Sequence, residues 1–440
     1  MNFEKIFGSK KFHLVAGLLI AISTFLVYSN TFYASFHFDD AQNIVENYSI
    51  RNLGNWIDII RGHRGVAMLT FAINYAMGGL NVVGYHIVNL VIHITNGILV
   101  YFLIFLTLTR IGILGIDFKS VPKAKKIAIY TALLFAVHPI QTQAVTYIVQ
   151  RMESLASMFM LIGLLLFIKG TETSKTASRV LLYGAAVVSY LLGFKSKEIA
   201  ITLPAIIILY DYCFLSEGNL KKLVSRWPIY GVLLVILVFL AAPTFTGLQE
   251  TPGEAVSAGF GVQGITSNPQ NTPGEVVSAG FGVQGITPKE YLFTQFNVLI
   301  YYITLLFVPV NQNLDYDFPV SKGLFEVPVV NQGTVLNIPL PPPIISLIII
   351  LTIIGFALYL LTRHASRITH QGRLIAFFIL WFFIILSPSS SFIPIIDVIF
   401  EHRLYLPSVG FFVLFSLAFH RIFEYIESNY SQVNRLKAED

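Results

Sequence analysis

The sequence predicts an all-α polytopic membrane protein, a bundle of about ten to eleven transmembrane helices with extracytoplasmic loops. Three observations predict it. Of 440 residues, 55% are hydrophobic and 12% charged, whereas a soluble domain carries about 25% charged residues. The mean hydropathy is +0.69, and an aromatic share of 14% suits interfacial belts and packed bundles. The basic residues fall in small clusters between apolar runs, as the positive-inside rule places them. A net charge of +5 and a pI near 9.0 would also suit a nucleic-acid binder, but no basic stripe is present. The expected partner is therefore the lipid bilayer, with no nucleic acid.

An apolar run of about 20 residues crosses the bilayer as a helix. In chain order the runs are 13–32, 84–109, 126–138, 154–169, 179–194, 199–215, 227–245, 343–362, 374–395 and 405–424. The first lacks a small-residue cleavage site and reads as a retained helix. A further run, 291–309, is apolar but ambiguous. Lys5, Lys10 and Lys11 precede the first run; Arg110, Lys119, Lys123, Lys125 and Lys126 follow the second. Further clusters are Lys169, Lys175 and Arg179; Lys221, Lys222 and Arg226; and Arg363, Arg367 and Arg373. Each falls where an alternating chain is cytoplasmic.

The loops 246–290 and 310–342 have Lys289 and Lys322 as their only basic residues, so both read as extracytoplasmic. The run between them is then re-entrant, interfacial or packed on the bundle. Ten spans follow, with both termini in the cytoplasm. Three regions result: 1–245 with a first external loop at 33–83, the loop region 246–342, and the C-terminal helices 343–440. Thr251–Thr266 recurs almost unchanged as Thr272–Thr287. Two Gly- and Pro-containing copies are too few for a stacked repeat and read as a duplication in a tolerant external loop. Cys213 is the only cysteine, so an intrachain disulfide is excluded.

With that sidedness, four polar groups share the outer face. In "FHFDD", Asp39 and Asp40 stand beside aromatic residues. A carboxylate against apolar surface is partly desolvated, more basic, and suited to general-base work; solvated loop acids would give the same letters. His138 ends the third run, and Arg151 and Glu153 precede the fourth; a helix cap and an internal ion pair are the plain alternatives. Lys197 and Glu198 lie between two apolar runs with almost no loop, a costly place for charge and hence a functional candidate. Glu401, His402, Arg403 and Tyr405 form the last group. Arginine grips phosphate with a planar fork of donors, which makes Arg403 a candidate anion binder, with Arg64 as a second. His86 and His93, seven apart, join Asp39, Asp40 and His138 in no known metal spacing, so no protein-defined metal site is expected.

The ordered blocks "FDDAQNIVEN", "LTFAINYAMGGLNVVGYHIVNLVIH", "LLFAVHPIQTQAVTYIVQRMESLA", "SKEIAITLPAIIILYDY", "NLDYDFP" and "SPSSSFIPIIDVIFEHRLYLPSVGF" run from about Phe36 to Phe411. Together they resemble the membrane region of bacterial relatives of the transmembrane, tetratricopeptide-containing, cadherin-type O-mannosyltransferases. These belong to the GT-C glycosyltransferase superfamily. The resemblance implies a GT-C helix bundle, a polyprenyl-phosphate-sugar donor, inversion at the anomeric carbon and an acidic base in the first external loop. It brings Asp39 and Asp40 forward as catalytic, Asp39 as base and Asp40 as its positioning partner. Arg403, then Arg151, Lys197 and Arg64, would hold the donor phosphate. His138, Glu153, Glu198, Glu401, His402 and Tyr405 would support them.

Relatives often read arginine-proline where this chain has Arg64-Gly65, and usually add a further span and tetratricopeptide repeats beyond the point where this sequence stops. The expectation is a short form, or one served by a separate acceptor-recognition subunit. The expected acceptor is a Ser or Thr hydroxyl of an exported protein, such as pilin or another surface fibre, or a glycan. A divalent cation stays open as an aid. The Ile-rich, Lys-containing composition favours a bacterial inner membrane over the endoplasmic reticulum. The competing reading is a transporter or flippase of polyprenyl-linked sugars. Against it stand the absence of a visible inverted repeat and charge gathered on one face, not at midplane.

Overall fold

A backbone in lipid has to satisfy its own polar groups, and a helix does so within one segment. The computed structural model, which describes residues 11–111, 121–246, 285–329, 340–362 and 369–439, is helical with no β-strand among those residues. The helices used below are α1 (Phe12–Tyr28), α2 (Gly65–Gly78), α3 (Val82–Ile111), α4 (Val121–Val137), α5 (Arg151–Glu172) and α6 (Thr176–Phe194). They continue with α7 (Leu203–Tyr210), α8 (Trp227–Thr246), α9 (Pro288–Phe307), α10 (Pro343–Thr362), α11 (Thr369–Leu386) and α12 (Ser408–Glu439). Among the described residues, seven helical segments are long and apolar enough to cross a membrane: Phe12–Thr31, Val82–Arg110, Ile148–Glu172, Thr176–Phe194, Glu198–Leu215, Pro343–Thr362 and Ser408–Tyr430. Gly65–Gly78, Trp227–Leu240 and His370–Leu386 are shorter apolar helices. This is a polytopic all-α membrane protein.

The ambiguous run becomes α9. A capping box between Thr287 and Glu290 opens it, satisfying two of its otherwise orphaned amides. Its polar side chains are spent on the protein: Tyr291 and Tyr302 donate to the carbonyls of Ser389 and Phe400, and Gln295 to that of Val398. The helix is thus packed against the segment between α11 and α12. The duplicated stretch lies almost wholly outside the described residues.

The two ends of the bundle differ in their charges. At one end Arg110 pairs with Glu172, Lys123 with Glu424, and Arg226 with Asp211. At the other end lie the turns that join α1 to α2, α4 to α5, α6 to α7 and α11 to α12. One glycine matters for that end. A Cβ at Gly65 would lie 2.3 Å from the Ile60 carbonyl oxygen, so only glycine lets α2 begin so close to the preceding helical turn. Arg64, its N-cap, has φ +48°, a conformation that non-glycine residues adopt at a cost of about 1–3 kcal/mol when surrounding contacts enforce it.

Candidate functional site

The two aspartates are held by the block that follows His138. Asp40 is buried, at 1% exposure. Its Oδ1 accepts the Val149 amide at 2.7 Å and its Oδ2 the His37 amide at 3.0 Å. Asp39 is exposed, and its own amide donates to the Tyr147 hydroxyl at 2.8 Å. Phe38, just before, has φ +44°. The turn therefore buries one carboxylate as a backbone clamp and presents the other.

Burial raises the Asp40 carboxyl from 3.8 to about 6, against the pull of its two amide bonds. A carboxyl titrating higher in the folded state contributes its stability below the unfolded value and loses it as pH rises through the folded one. In Asp40→Asn one amide faces an NH₂ group and is left unsatisfied, at a cost of about 1–3 kcal/mol. The variant should be the less stable at pH 4, and the gap should narrow by roughly 2 kcal/mol as pH rises to 6. Chemical unfolding in detergent at both pH values checks this; a gap independent of pH would contradict it.

Two ion pairs stand beside this turn. Arg64 grips Glu198 with Nε at 3.0 Å and Nη2 at 2.9 Å, and His63 Nε2 donates to the same carboxylate at 2.8 Å. Lys197 pairs with Glu153 at 2.9 Å and donates to Gln150 at 3.0 Å. Lys195 ties the segment down, its Nζ on the Arg61 carbonyl and its own carbonyl on the Val66 amide. Burial works against the Arg64 cation, but Glu198, then Glu153 and Asp39, outweigh it and raise its pKa. Lys197 is lowered by burial, which Glu153 offsets only in part.

The loop before α12 supplies a third wall. The Gln143 carbonyl oxygen accepts from His402 twice, at its amide (2.6 Å) and at Nδ1 (2.9 Å), while the Gln143 NH₂ donates to the Leu314 carbonyl. That fixes the His402 proton on Nδ1. Burial, then the cations Lys197, Arg403 and Arg64, hold His402 well below its usual range, so the imidazole is neutral. Arg403 donates to the carbonyls of Asp397 (2.7 Å) and Val398 (3.2 Å). The Asp397 carboxyl is raised by burial, lowered by Arg403, and raised again by Asp315 and Asp39.

Asp39, Arg64, Glu153, Lys197, Glu198, His402 and Arg403 are thus linked into one electrostatic cluster, Arg64 reaching Asp39, Lys197 reaching Arg64 and Glu153, and His402 reaching Lys197, Arg403 and Arg64. Other expected site residues lie elsewhere. Arg151, 0% exposed, points between α2 and α3, donating to Asn89 Oδ1 at 2.7 Å and the Tyr85 carbonyl at 2.9 Å over the Phe71 ring. It does not pair with Glu153, whose partner is Lys197. His138 caps the turn after α4 by accepting the Ile140 amide. Tyr405 donates to His93 Nδ1 inside the bundle, because His93 Nε2 donates to the Ala136 carbonyl. Glu401 ties down the 311–316 segment, accepting from Gln312 (2.6 Å), the Asn313 amide (2.8 Å) and Tyr316. Asp397, Tyr147, Gln143, Gln150 and His63 join the site although sequence reasoning assigned them no role. Asp397 had a signal, as a lone acid in the apolar run "IPIIDVIF". Among the described residues, no group of three or more His, Cys, Asp and Glu is placed to hold a metal ion.

Fold and site define a multi-pass membrane protein with a charged, partly buried centre at one end of its helix bundle. Its sequence is similar to protein O-mannosyl-transferases of animals. It is 28% identical over 228 residues to Protein O-mannosyl-transferase Tmtc3 of Drosophila melanogaster, covering 46% of this chain and 25% of that one. It is 27% identical over 252 residues to Protein O-mannosyl-transferase F38B6.6 of Caenorhabditis elegans, covering 54% and 34%. With human Protein O-mannosyl-transferase TMTC2 it shares 28% over 230 residues, covering 48% and 25%. The matches thus span a quarter to a third of these relatives' length. No family model matches the chain, and no solved structure does.

Proposed function

We propose that the protein is a GT-C-type membrane glycosyltransferase that moves a sugar from a polyprenyl-phosphate donor to an acceptor hydroxyl, with inversion, on the extracytoplasmic face. The acceptor is a Ser or Thr of an exported protein, or a glycan. The observation that carries this reading is the exposed Asp39 carboxylate on a clamped turn, within electrostatic reach of Arg64, which shares a charged cluster with Lys197, His402 and Arg403. The similarity to named O-mannosyl-transferases supports the same reaction class. Asp39 takes the acceptor proton as the oxygen attacks the anomeric carbon. The bond from that carbon to the phosphate oxygen breaks, and polyprenyl phosphate leaves with the electron pair. Arg64, Lys197 and Arg403 stabilise the leaving charge, which is worth most in a dry site. Arg151 is assigned to the scaffold in this reading. The composition favours a bacterial inner membrane.

The test uses the full chain in proteoliposomes with polyprenyl-phosphate mannose and a Ser/Thr-rich peptide, with and without a chelator. Peptide carrying a sugar of inverted anomeric configuration is the expected product. The two chelator arms report on assistance by a divalent cation. Donor crossing the bilayer with no peptide modified would overturn the reading in favour of a flippase.

A further inference from the structure

Two backbone groups settle which way the Gln143 side chain points. Its oxygen accepts the His402 amide at 2.6 Å, and its NH₂ donates to the Leu314 carbonyl at 2.9 Å. A backbone amide only donates and a carbonyl only accepts, so the His402 Nδ1 that meets the same Gln143 oxygen at 2.9 Å carries the ring proton. In a neutral imidazole the other nitrogen is an acceptor, and burial, with the neighbouring cations, keeps this ring neutral. Among the described residues no group donates to that Nε2, yet the atom is not sealed inside the protein. The ring is otherwise buried, at 4% exposure. It stacks on Phe400 with centroids 4.9 Å apart, and the Arg403 guanidinium carbon lies 5.4 Å from the same Phe400 ring. The short helix Thr142–Thr146 that carries Gln143 leads straight into the other holding groups. Tyr147 accepts the Asp39 amide, the Val149 amide holds Asp40, and Gln150 holds Lys197. The stretch 143–150 thus fastens His402, the aspartate turn and Lys197 to one frame.

We propose that His402 is a sugar-binding residue whose Nε2 accepts a hydroxyl of the transferred sugar, with Gln143 as the positioning residue that aims it. This rests on the glycosyltransferase reading above. The chemistry of the free lone pair selects the ligand group. An ionised phosphate oxygen only accepts, so it has nothing to give Nε2 and belongs with the cationic donors. The acceptor hydroxyl gives its proton to Asp39. What remains on the donor is the set of ring hydroxyls, each with a proton to donate. A site built to bond a hydroxyl rejects the analogue that lacks it, because its own buried group is left unpaired. His402 therefore moves from support of the phosphate, where the family resemblance places it, to selection of the sugar.

The experiment reads binding and needs no turnover. The full chain in detergent is titrated with polyprenyl phosphate, polyprenyl-phosphate mannose and the monodeoxy forms of the mannosyl lipid, with no acceptor present. The unaltered protein should bind the mannosyl lipid more tightly than the bare one, and one monodeoxy form about 10-fold more weakly than its parent, the equivalent of one hydrogen bond. His402→Asn keeps a donor for Gln143 but has no atom at Nε2. It should bind that deoxy form and the parent alike, with its affinity for the bare lipid unchanged. His402→Gln, which returns an amide oxygen to the same region, should recover part of the discrimination. Discrimination undiminished in His402→Asn overturns the proposal. An equal loss of affinity for the bare lipid marks a merely structural role and overturns it too. So does an unaltered protein indifferent to every missing hydroxyl, a result that stands even if the variants do not fold. If the unaltered protein binds neither lipid, the glycosyltransferase reading itself falls, and this assignment with it.

Discussion

Asp39→Asn should lower sugar transfer by about 10²–10⁴-fold, the range that a positioned general base contributes, with folding stability close to that of the unaltered protein. The reason lies in how its turn divides the two carboxylates. Asp39 is exposed, and the bonds that hold the turn run through its backbone, from its amide to Tyr147 and from Asn43 to its carbonyl. Replacing its carboxylate by an amide removes a proton acceptor while leaving those bonds in place. Asp40 has the opposite profile, because both of its oxygens accept buried amides. Asp40→Asn should reduce activity in step with its loss of folded protein. Measured per folded molecule, the two variants separate cleanly. Equal activity in Asp39→Asn and the unaltered protein would sink the mechanism.

The membrane helices were legible in the sequence because they depend on local composition. Each of the ten apolar runs has a helix over most of its length. The limit of such reading is visible at α2, where "GVAMLTFAINYAMG" is apolar and helical but too short for a hydropathy window set by bilayer thickness. The grouping of the four polar turns was also legible, through charge counting. What could not be read was partner choice, which depends on side-chain direction and on contacts between residues far apart in the chain. Arg151 and Glu153 are two residues apart, and on a helix such neighbours do not face each other. One turns to Asn89 and Tyr85, the other to Lys197. Tyr147 gives no sequence signal at all, since its role exists only because Asp39 is folded against it.

Glu198→Gln should be the most destabilising single change at the site, costing about 3 kcal/mol or more. The Glu198 carboxylate is only 10% exposed and receives three hydrogen bonds, two from Arg64 and one from His63. Breaking such a pair from one side leaves an uncompensated guanidinium beside Lys197, and that is costlier than never having had the pair. The strain at Arg64 sharpens the argument. Its left-handed backbone persists because the fork on Glu198, the Lys195 contacts and the tight start of α2 at Gly65 together enforce it. The double variant Arg64→Gln, Glu198→Gln should therefore cost clearly less than the sum of the two single changes, a coupling that a double-mutant cycle measures directly. Small, additive effects, each under about 1 kcal/mol, would instead describe a solvated surface pair. If the coupling is large, Arg64 reaches the donor phosphate already oriented, and the same bonds that fix its strained backbone also set its place opposite Asp39.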